Sequence, residues 1–429
     1  MNTSIIFLEV WYNELMDDDK RFVTGLDVGT ENVRAVIASV NKSGEIAIVG
    51  YNEGKSNGMR KGIPANLAGP ASSIDKMLGD AERMGGYDVR NAYVSINGST
   101  VISTHTEGMI AVGTVEHEID DQDLDRVEDV AVSGRIPANR SVLDVIPLEY
   151  ALDGQGGIKD PLGMSGARLE MRANVISALT PNCENLKKAT ATADVRADRL
   201  VPSVVAAAKA VLTDRQKENG VAVIDLGATT TGIAIYEEGD LQYVGVIPAG
   251  SHNITNDLAI VLAIDPDLAE EIKVRFITGT FNQEKNPVIK LTKDGKERNF
   301  ERKEVEAVVK ARLDDIFAEI RKKLKSAKYD QRLPEGIILT GGGAKMRDIE
   351  LFAKDALEAA VKIGTPQKLN GVADAVAKPE FATAIGLALL AAEDNTYQPS
   401  DSKKPGKGFK KPKTKASGGG FLKKLFSKF

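Results

Sequence analysis

The chain has little of what protease, zinc or disulfide chemistry requires. One cysteine, Cys183, stands among 429 residues, which excludes an intramolecular disulfide framework and fits a reducing compartment. Three histidines, His105, His117 and His252, are widely scattered, so neither a zinc site nor a Cys-His pair can be assembled from them. Tryptophan occurs once, as Trp11. Long apolar runs are missing too: a stretch such as FATAIGLALLAA from Phe381 falls well short of the ~20 residues a membrane-spanning helix needs. The opening MNTSIIFLEVWYNELMDDDK breaks its apolar part with Glu9 and has no basic leader, which makes it a poor signal peptide. It reads instead as an arm on the first strand or the product of an upstream start site.

What is present is an ordinary globular composition, 42% hydrophobic and 27% charged, with length for roughly three domain-sized units and a cleft between them. The net charge of −5 hides an asymmetry. From residue 401 onward ten lysines face one acid, Asp401, so an acidic body carries a basic tail. An acidic body repels phosphate backbones, and nucleic acid is not an expected partner.

Twice a run of apolar residues feeds into an aspartate and a glycine turn: FVTGLDVGTENVRAVIASV around Asp27 and GVAVIDLGATTTGIAIYEEG around Asp225. Each reads as a β-hairpin whose turn, at Gly29 or Gly227, lets the backbone approach something bulky. Either alone is explained equally well by an ordinary tight turn. Together, their N–H groups and the hydroxyls of Thr30, Thr229, Thr230 and Thr231 can ring a polyphosphate from two sides, with the aspartates facing its metal. A third cluster, GIILTGGGAKMRDIELFAKDAL, ends a strand at Leu339-Thr340 and opens a helix, so that the bare backbone of Gly341, Gly342 and Gly343 can lie against a nucleotide.

Two such hairpins flanking a long insertion, then strand, glycines and helix, describe a duplicated α/β unit. The arrangement is similar to that of the actin, sugar-kinase and Hsp70 group, an actin-like (RNase H-like) two-lobe fold. The expected organisation is an N-terminal extension (1–20), a first lobe (21–97 and 179–215) with an inserted α+β subdomain (98–178), a second lobe core (216–250 and 334–395) and its upper part (251–333). Ile63 to Met84 has helical spacing. The insertion reads as short strands plus one acidic helix with Asp120 as N-cap. RKEVEAVVKARLDDIFAEIRKKLKSA reads as a long amphipathic helix with Val305, Val308, Leu313, Ile316 and Ile320 on its core face. Small residues Ala382, Ala384, Gly386 and Ala388 suit a helix packed closely between lobes.

Residues 396–420, rich in Pro, Gly, Ser and Lys, read as a disordered linker. The tip FLKKLFSKF then places Phe421, Leu422, Leu425, Phe426 and Phe429 on one helical arc, with Lys423, Lys424, Ser427 and Lys428 opposite. Nine residues need a partner to fold on. An anionic membrane surface suits an aromatic face ringed by lysines best; a nucleic-acid tail, a sticky end or a partner's groove are the alternatives.

These residues resemble one family closely: the FtsA cell-division proteins, divergent actin homologues that hold FtsZ filaments on the inner face of the membrane. GLDVGT is similar to the family's first phosphate loop, VIDLGATTT to its second and TGGGAKMRDI to its adenosine loop. SHNITNDLAIVL with AEEIK, VKIGTP, and GVADAVAKPEFATAIGLALL resemble further family segments. The resemblance runs from about Arg21 to Ala392 and resumes at the tip. It implies ATP with Mg2+ as ligand: Asp27 and Asp225 approach the magnesium through water, Gly29, Thr30, Gly227, Thr229, Thr230 and Thr231 hold phosphates, Gly341 to Gly343 lie along the adenosine, and Glu270 with Lys273 reach the ribose or base. It also implies self-association, other divisome partners, an FtsZ tail on the upper second lobe, and a peripheral position on the cytoplasmic face of the membrane. Two positions depart from it. Asn32 stands where the family usually has a lysine, and Ala228-Thr229-Thr230-Thr231-Gly232 lacks the usual carboxylate, so no general base is named and any ATP hydrolysis is expected to be slow. A pilus-assembly-type relative and a small-molecule kinase or ATPase of the same superfold are the competing readings.

The tail reading predicts that the full chain sediments with anionic vesicles, whereas a chain ending at Thr396, or one carrying Phe426→Asp, stays in the supernatant. Equal sedimentation of all three would remove the anchor.

Overall fold

The computed structural model describes residues 20–276, 287–293, 296–329, 332–367 and 369–394. The expected N-terminal arm, the linker, and the membrane-facing residues Phe421, Leu422, Lys423, Lys424, Leu425, Phe426, Lys428 and Phe429 lie outside them.

Strands β1 (Arg21–Val28), β2 (Asn32–Val40) and β3 (Ile46–Lys55) form an antiparallel meander, and a small hairpin β4–β5 (Met59–Arg60, Ile63–Pro64) leads into helix α1 (Ala68–Gly85). The helix therefore starts later than its apolar spacing suggested. Residues 63–64 pair as a strand, and Asn66 Oδ1 accepts the Gly69 N–H at 2.8 Å, which sets the helix start. β6 (Asn91–Ile96) joins β1 in parallel. The chain then builds β7 (Ile102–Ala111), α2 (Asp121–Val132), β8 (Arg140–Leu152), β9 (Gln155–Ile158) and β10 (Arg168–Leu179). Asp120 does cap α2: its side chain accepts the Asp123 N–H while the Asp123 carboxylate reaches back to the Asp120 N–H. The strands here are long, 13 residues in β8 and 12 in β10, not short. Bulges between Arg172 and Ala173 and between Ile176 and Ser177 break the alternation that would have revealed them.

Helix α3 (Thr180–Thr192) returns the chain to β11 (Arg196–Pro202), and α4 (Ser203–Val211) and α5 (Asp214–Asn219) lead into β12 (Val221–Leu226), β13 (Thr231–Glu237) and β14 (Asp240–Ile247). Helices α6 (Ser251–Val261) and α7 (Pro266–Phe276), the hairpin β15–β16 (Val288–Lys293, Lys296–Glu301) and the 25-residue α8 (Arg302–Ser326) follow. The buried stripe of α8 runs through Val305, Val309, Leu313, Ile316, Phe317, Ile320 and Leu324, with Val308 partly buried against the same core. The chain closes with β17 (Ile337–Thr340), α9 (Ile349–Leu357), β18 (Val361–Ile363), β19 (Asn370–Gly371), α10 (Ala373–Val376) and α11 (Ala382–Glu393).

Two sheets result. One has the order β11-β6-β1-β2-β3-β19; the other, β18-β17-β12-β13-β14-β7-β10-β8-β9, carries the inserted strands at one end through the contact of β7 with β14. Helices α4 and α11 cross over: α11, from the end of the described chain, packs on β1 and β6, while α4, from the first half, packs on β12 and β13. The small residues make this possible. A Cβ on Gly25 would lie 2.1 Å from the Ala384 carbonyl oxygen, and one on Gly386 only 1.7 Å from that of Ala206. The β1 strand and both helices thus touch through bare backbone.

Gly386→Ala forces α4 and α11 apart and is expected to lower the urea midpoint by the equivalent of roughly 2 kcal/mol or more. An unchanged midpoint would contradict this packing.

Candidate functional site

The two acidic hairpins are built in the same register. Asp27 pairs with Arg34 across β1 and β2, and Asp225 pairs with Gly232 across β12 and β13. In each the glycine N–H closes the turn, Gly29 onto the Asn32 carbonyl at 3.1 Å and Gly227 onto the Thr230 carbonyl at 3.0 Å. A Cβ at either glycine would sit under 3 Å from the oxygen it bonds. The turns then meet. Thr229 Oγ1 donates to Thr30 Oγ1 at 2.9 Å, Asn97 Nδ2 donates to Thr230 Oγ1 at 3.1 Å, and the Gly62 N–H reaches Thr30 Oγ1 at 2.9 Å.

The glycine corner closes on the same place. Gly341 has φ +86°, and a Cβ there would lie 2.3 Å from Asp225 Oδ1, so only glycine fits. The residues after it form a 3-10 turn, Gly342–Lys345, and α9 begins only after Asp348, itself left-handed at φ +58°. The sequence had suggested a helix directly. At Gly342 a Cβ would meet nothing within 4 Å: this backbone faces open space.

That space is a cavity of about 630 Å³, within the range of small-molecule and cofactor pockets. Asp27, Gly29, Thr30 and Asn32 line it from one side, Asp225, Gly227, Thr229 and Thr230 from the other, with Gly341, Gly342 and Gly343, and with Glu270 and Lys273 from α7. One expected residue is displaced: Thr231 is fully buried outside the lining, and its hydroxyl donates to the Ala249 carbonyl at 2.8 Å. Several lining residues were not foreseen, among them Arg34, Lys55, His252, Lys345, Arg347, Glu380 and Thr383. For Arg34 the hairpin register held the signal, since the residue opposite Asp27 shares its face.

Asp27 and Asp225 are both nine-tenths buried. Burial raises the Asp27 carboxyl, against the pull of Arg34 and a 2.8 Å hydrogen bond from Ser95 Oγ. Burial and then the charge of Asp27 push Asp225 up to about 7, partly offset by Arg34 and a hydrogen bond from Thr383. At Glu270 burial acts upward but is overcome by Lys273 Nζ at 2.6 Å and Thr255 Oγ1 at 2.5 Å, which hold the carboxyl below its ordinary range. Two buried carboxylates that repel each other are a donor set suited to a hard divalent cation bound through its own waters. Among the described residues no group of three His, Cys, Asp or Glu is placed to hold a metal by side chains alone.

Two lobes joined by crossing helices, with mirrored acidic turns and a glycine corner on one cavity, define an actin-like nucleotide-binding fold. Solved structures agree on the fold. A chain of the PilM-PilN type IV pilus biogenesis complex superposes with a TM-score of 0.65 at 18% identity, over 87% of this chain and 99% of that one. MreB5 of Spiroplasma citri bound to ADP superposes at 0.51 and 13% identity, over 85% and 94%. Sequence comparison goes further. The family "Cell division protein FtsA" matches residues 222–386, and "SHS2 domain inserted in FTSA" matches 98–177. Cell division protein FtsA of Pseudomonas aeruginosa is 32% identical over 86% of this chain and 88% of its own length, that of Neisseria meningitidis 32% over 90% and 94%, and that of Escherichia coli K12 28% over 95% and 97%. The chain belongs to the FtsA family of cell-division proteins. Among its described residues no helix is long and apolar enough to cross a membrane.

Because the folded protein holds Asp225 protonated to about pH 7 while an unfolded aspartate ionises near 3.9, this group favours folding below its unfolded value and loses that contribution as pH rises to about 7. In nucleotide-free protein kept in EDTA, the melting temperature should fall from pH 5 to pH 7.5 more steeply than in Asp225→Asn. Parallel profiles for the two proteins would refute the buried acid pair.

Proposed function

We propose that this protein is an ATP-binding division scaffold that self-assembles and ties FtsZ filaments to the cytoplasmic face of the membrane. The observation that carries the reading is the meeting of Thr30, Thr229 and Asp225 with Gly341 on a single cavity. A triphosphate laid between the hairpins receives turn N–H groups and threonine hydroxyls from both sides, and the purine and ribose lie against the open backbone at Gly342. Asp27 and Asp225 would hold Mg2+ through water; the ion's part is to screen the phosphates. Lys273, fixed by Glu270 and Thr255, would stand with Glu270 beside the ribose or base. Closing the cleft orders both lobes around one ligand, which gives the nucleotide a means of setting the shape that assembles.

Nothing in the cavity is assigned as a general base, and Asn32 and Gly232 leave the two turns short of charged groups, in keeping with a slow ATPase at most. The domain roles follow the same reading: the insert at 98–178 serves self-association and other divisome proteins, the upper second lobe at 251–333 receives the FtsZ tail, and the linker at 396–420 spaces the body from the tip at 421–429. A kinase or ATPase acting on a small molecule needs the same turns but no membrane-seeking tip, and a pilus-type scaffold generally lacks one; the tip favours the tether.

The test is reconstitution. FtsZ polymers should co-sediment with anionic vesicles when the full chain and ATP are present and remain free of vesicles with the chain ending at Thr396. Recruitment by the truncated chain, or none by the full chain, would overturn the tether.

A further inference from the structure

The cleft solves its charge problem in an asymmetric way. Each hairpin presents a buried aspartate, and in the shared register the residue opposite that aspartate shares its face. In the first hairpin this residue is Arg34. In the second it is Gly232, where even a Cβ would come within 2.8 Å of Val204, so no cation fits there. Asn32, also on the cavity wall, brings no charge. The three cavity lysines already serve other acids: Lys55 pairs with Glu31, Lys273 with Glu270 at 2.6 Å and Lys345 with Glu380 at 2.8 Å; the other arginine of the lining, Arg347, comes from the glycine corner rather than from either acidic hairpin.

Arg34 is differently placed. Its side chain is only 12% exposed, its Nε donates to Glu53 at 3.1 Å, and its guanidinium lies 5.7 Å from the centre of the Phe381 ring. This leaves Nη1 directed at Asp27 but 3.8 Å away, an ion pair without a close hydrogen bond. One fixed guanidinium thus sits beside Asp27, on the cavity that Asp225 also lines, held by groups outside the cavity.

The geometry points to Arg34 as a built-in counter-cation for the acid pair, a positioning residue that lets a nucleoside triphosphate enter the cleft without a divalent ion. This rests on reading the cavity as a nucleotide site. A triphosphate arriving with no metal meets the charge of Asp27 and whatever fraction of Asp225 is ionised, and a cation beside Asp27 lessens that repulsion. Mg2+ does the same work when present, so Arg34 and the ion are alternatives, and losing Arg34 is felt most when the ion is absent. At the intermediate dielectric of a protein cleft, a unit charge about 8 Å from another is worth roughly one to two orders of magnitude in affinity.

The experiment is ATP calorimetry on the full chain in Mg2+ and in EDTA, for wild type, Arg34→Gln and Arg34→Lys. The quantity read is the ratio of the two affinities within each protein, so a general loss of folded material cancels. Wild type should lose less than about tenfold on removing Mg2+, Arg34→Gln should lose at least tenfold more than wild type, and Arg34→Lys should behave like wild type. The same ratio in Arg34→Gln as in wild type, or no rescue by lysine, would overturn the assignment. Wild type failing to bind ATP even in Mg2+ would instead defeat the nucleotide reading of the cavity and this inference with it.

Discussion

Two buried carboxyl groups line one cavity, the charge of Asp27 raising the cost of ionising Asp225, and the architecture around them serves to keep them there. Asp27 and Asp225 come from hairpins 198 residues apart in sequence; nothing local joins them. What joins them is the crossing of α4 and α11 between the sheets, through Gly25 and Gly386, where backbone meets backbone. Holding like charges together raises the free energy of the ion-free protein, and strain of that kind is kept where a ligand relieves it. The Thr229 to Thr30 hydrogen bond and the Gly341 corner then bring the three corners together on one cavity of about 630 Å³.

Each sheet is covered by a helix from the other half of the chain, so the two lobes share one packed seam. The inserted strands join the second sheet through β14, with Asn174 Nδ2 donating to the Leu241 carbonyl at 2.7 Å and Ser103 accepting the Val244 N–H at 2.9 Å. The insert is therefore tied to the lobe that carries Asp225.

Much of this was legible in the sequence because turn chemistry is local. An aspartate and glycine after a β-branched run give a hairpin, and Asp120 with Asp123 gives a capped helix; both follow from neighbours a few residues apart. The lining was mostly legible for the same reason, since residues in a turn share its cavity. Thr231 failed because it begins β13, where the side chain alternates away toward Ala249. The long strands of the insert were hidden by bulges, and the start of α1, though not the helix itself, was displaced by the pairing of Ile63–Pro64. Lys345 and Arg347 stand two and four residues past Gly343 and went unread because only the glycines of that corner carried the argument, whereas Glu380 and Thr383 reach the cleft through tertiary folding of the last helix, which no short window of sequence contains.

The central claim, that three separated corners form one adenine-nucleotide site, is tested most directly at Gly342, where a side chain has room and the fold should not suffer. Calorimetric titration of ATP into wild type and Gly342→Asp, with melting temperatures measured alongside, should show affinity at least tenfold weaker in the variant with melting unchanged. Equal affinity in two equally stable proteins would place the nucleotide elsewhere and contradict the account.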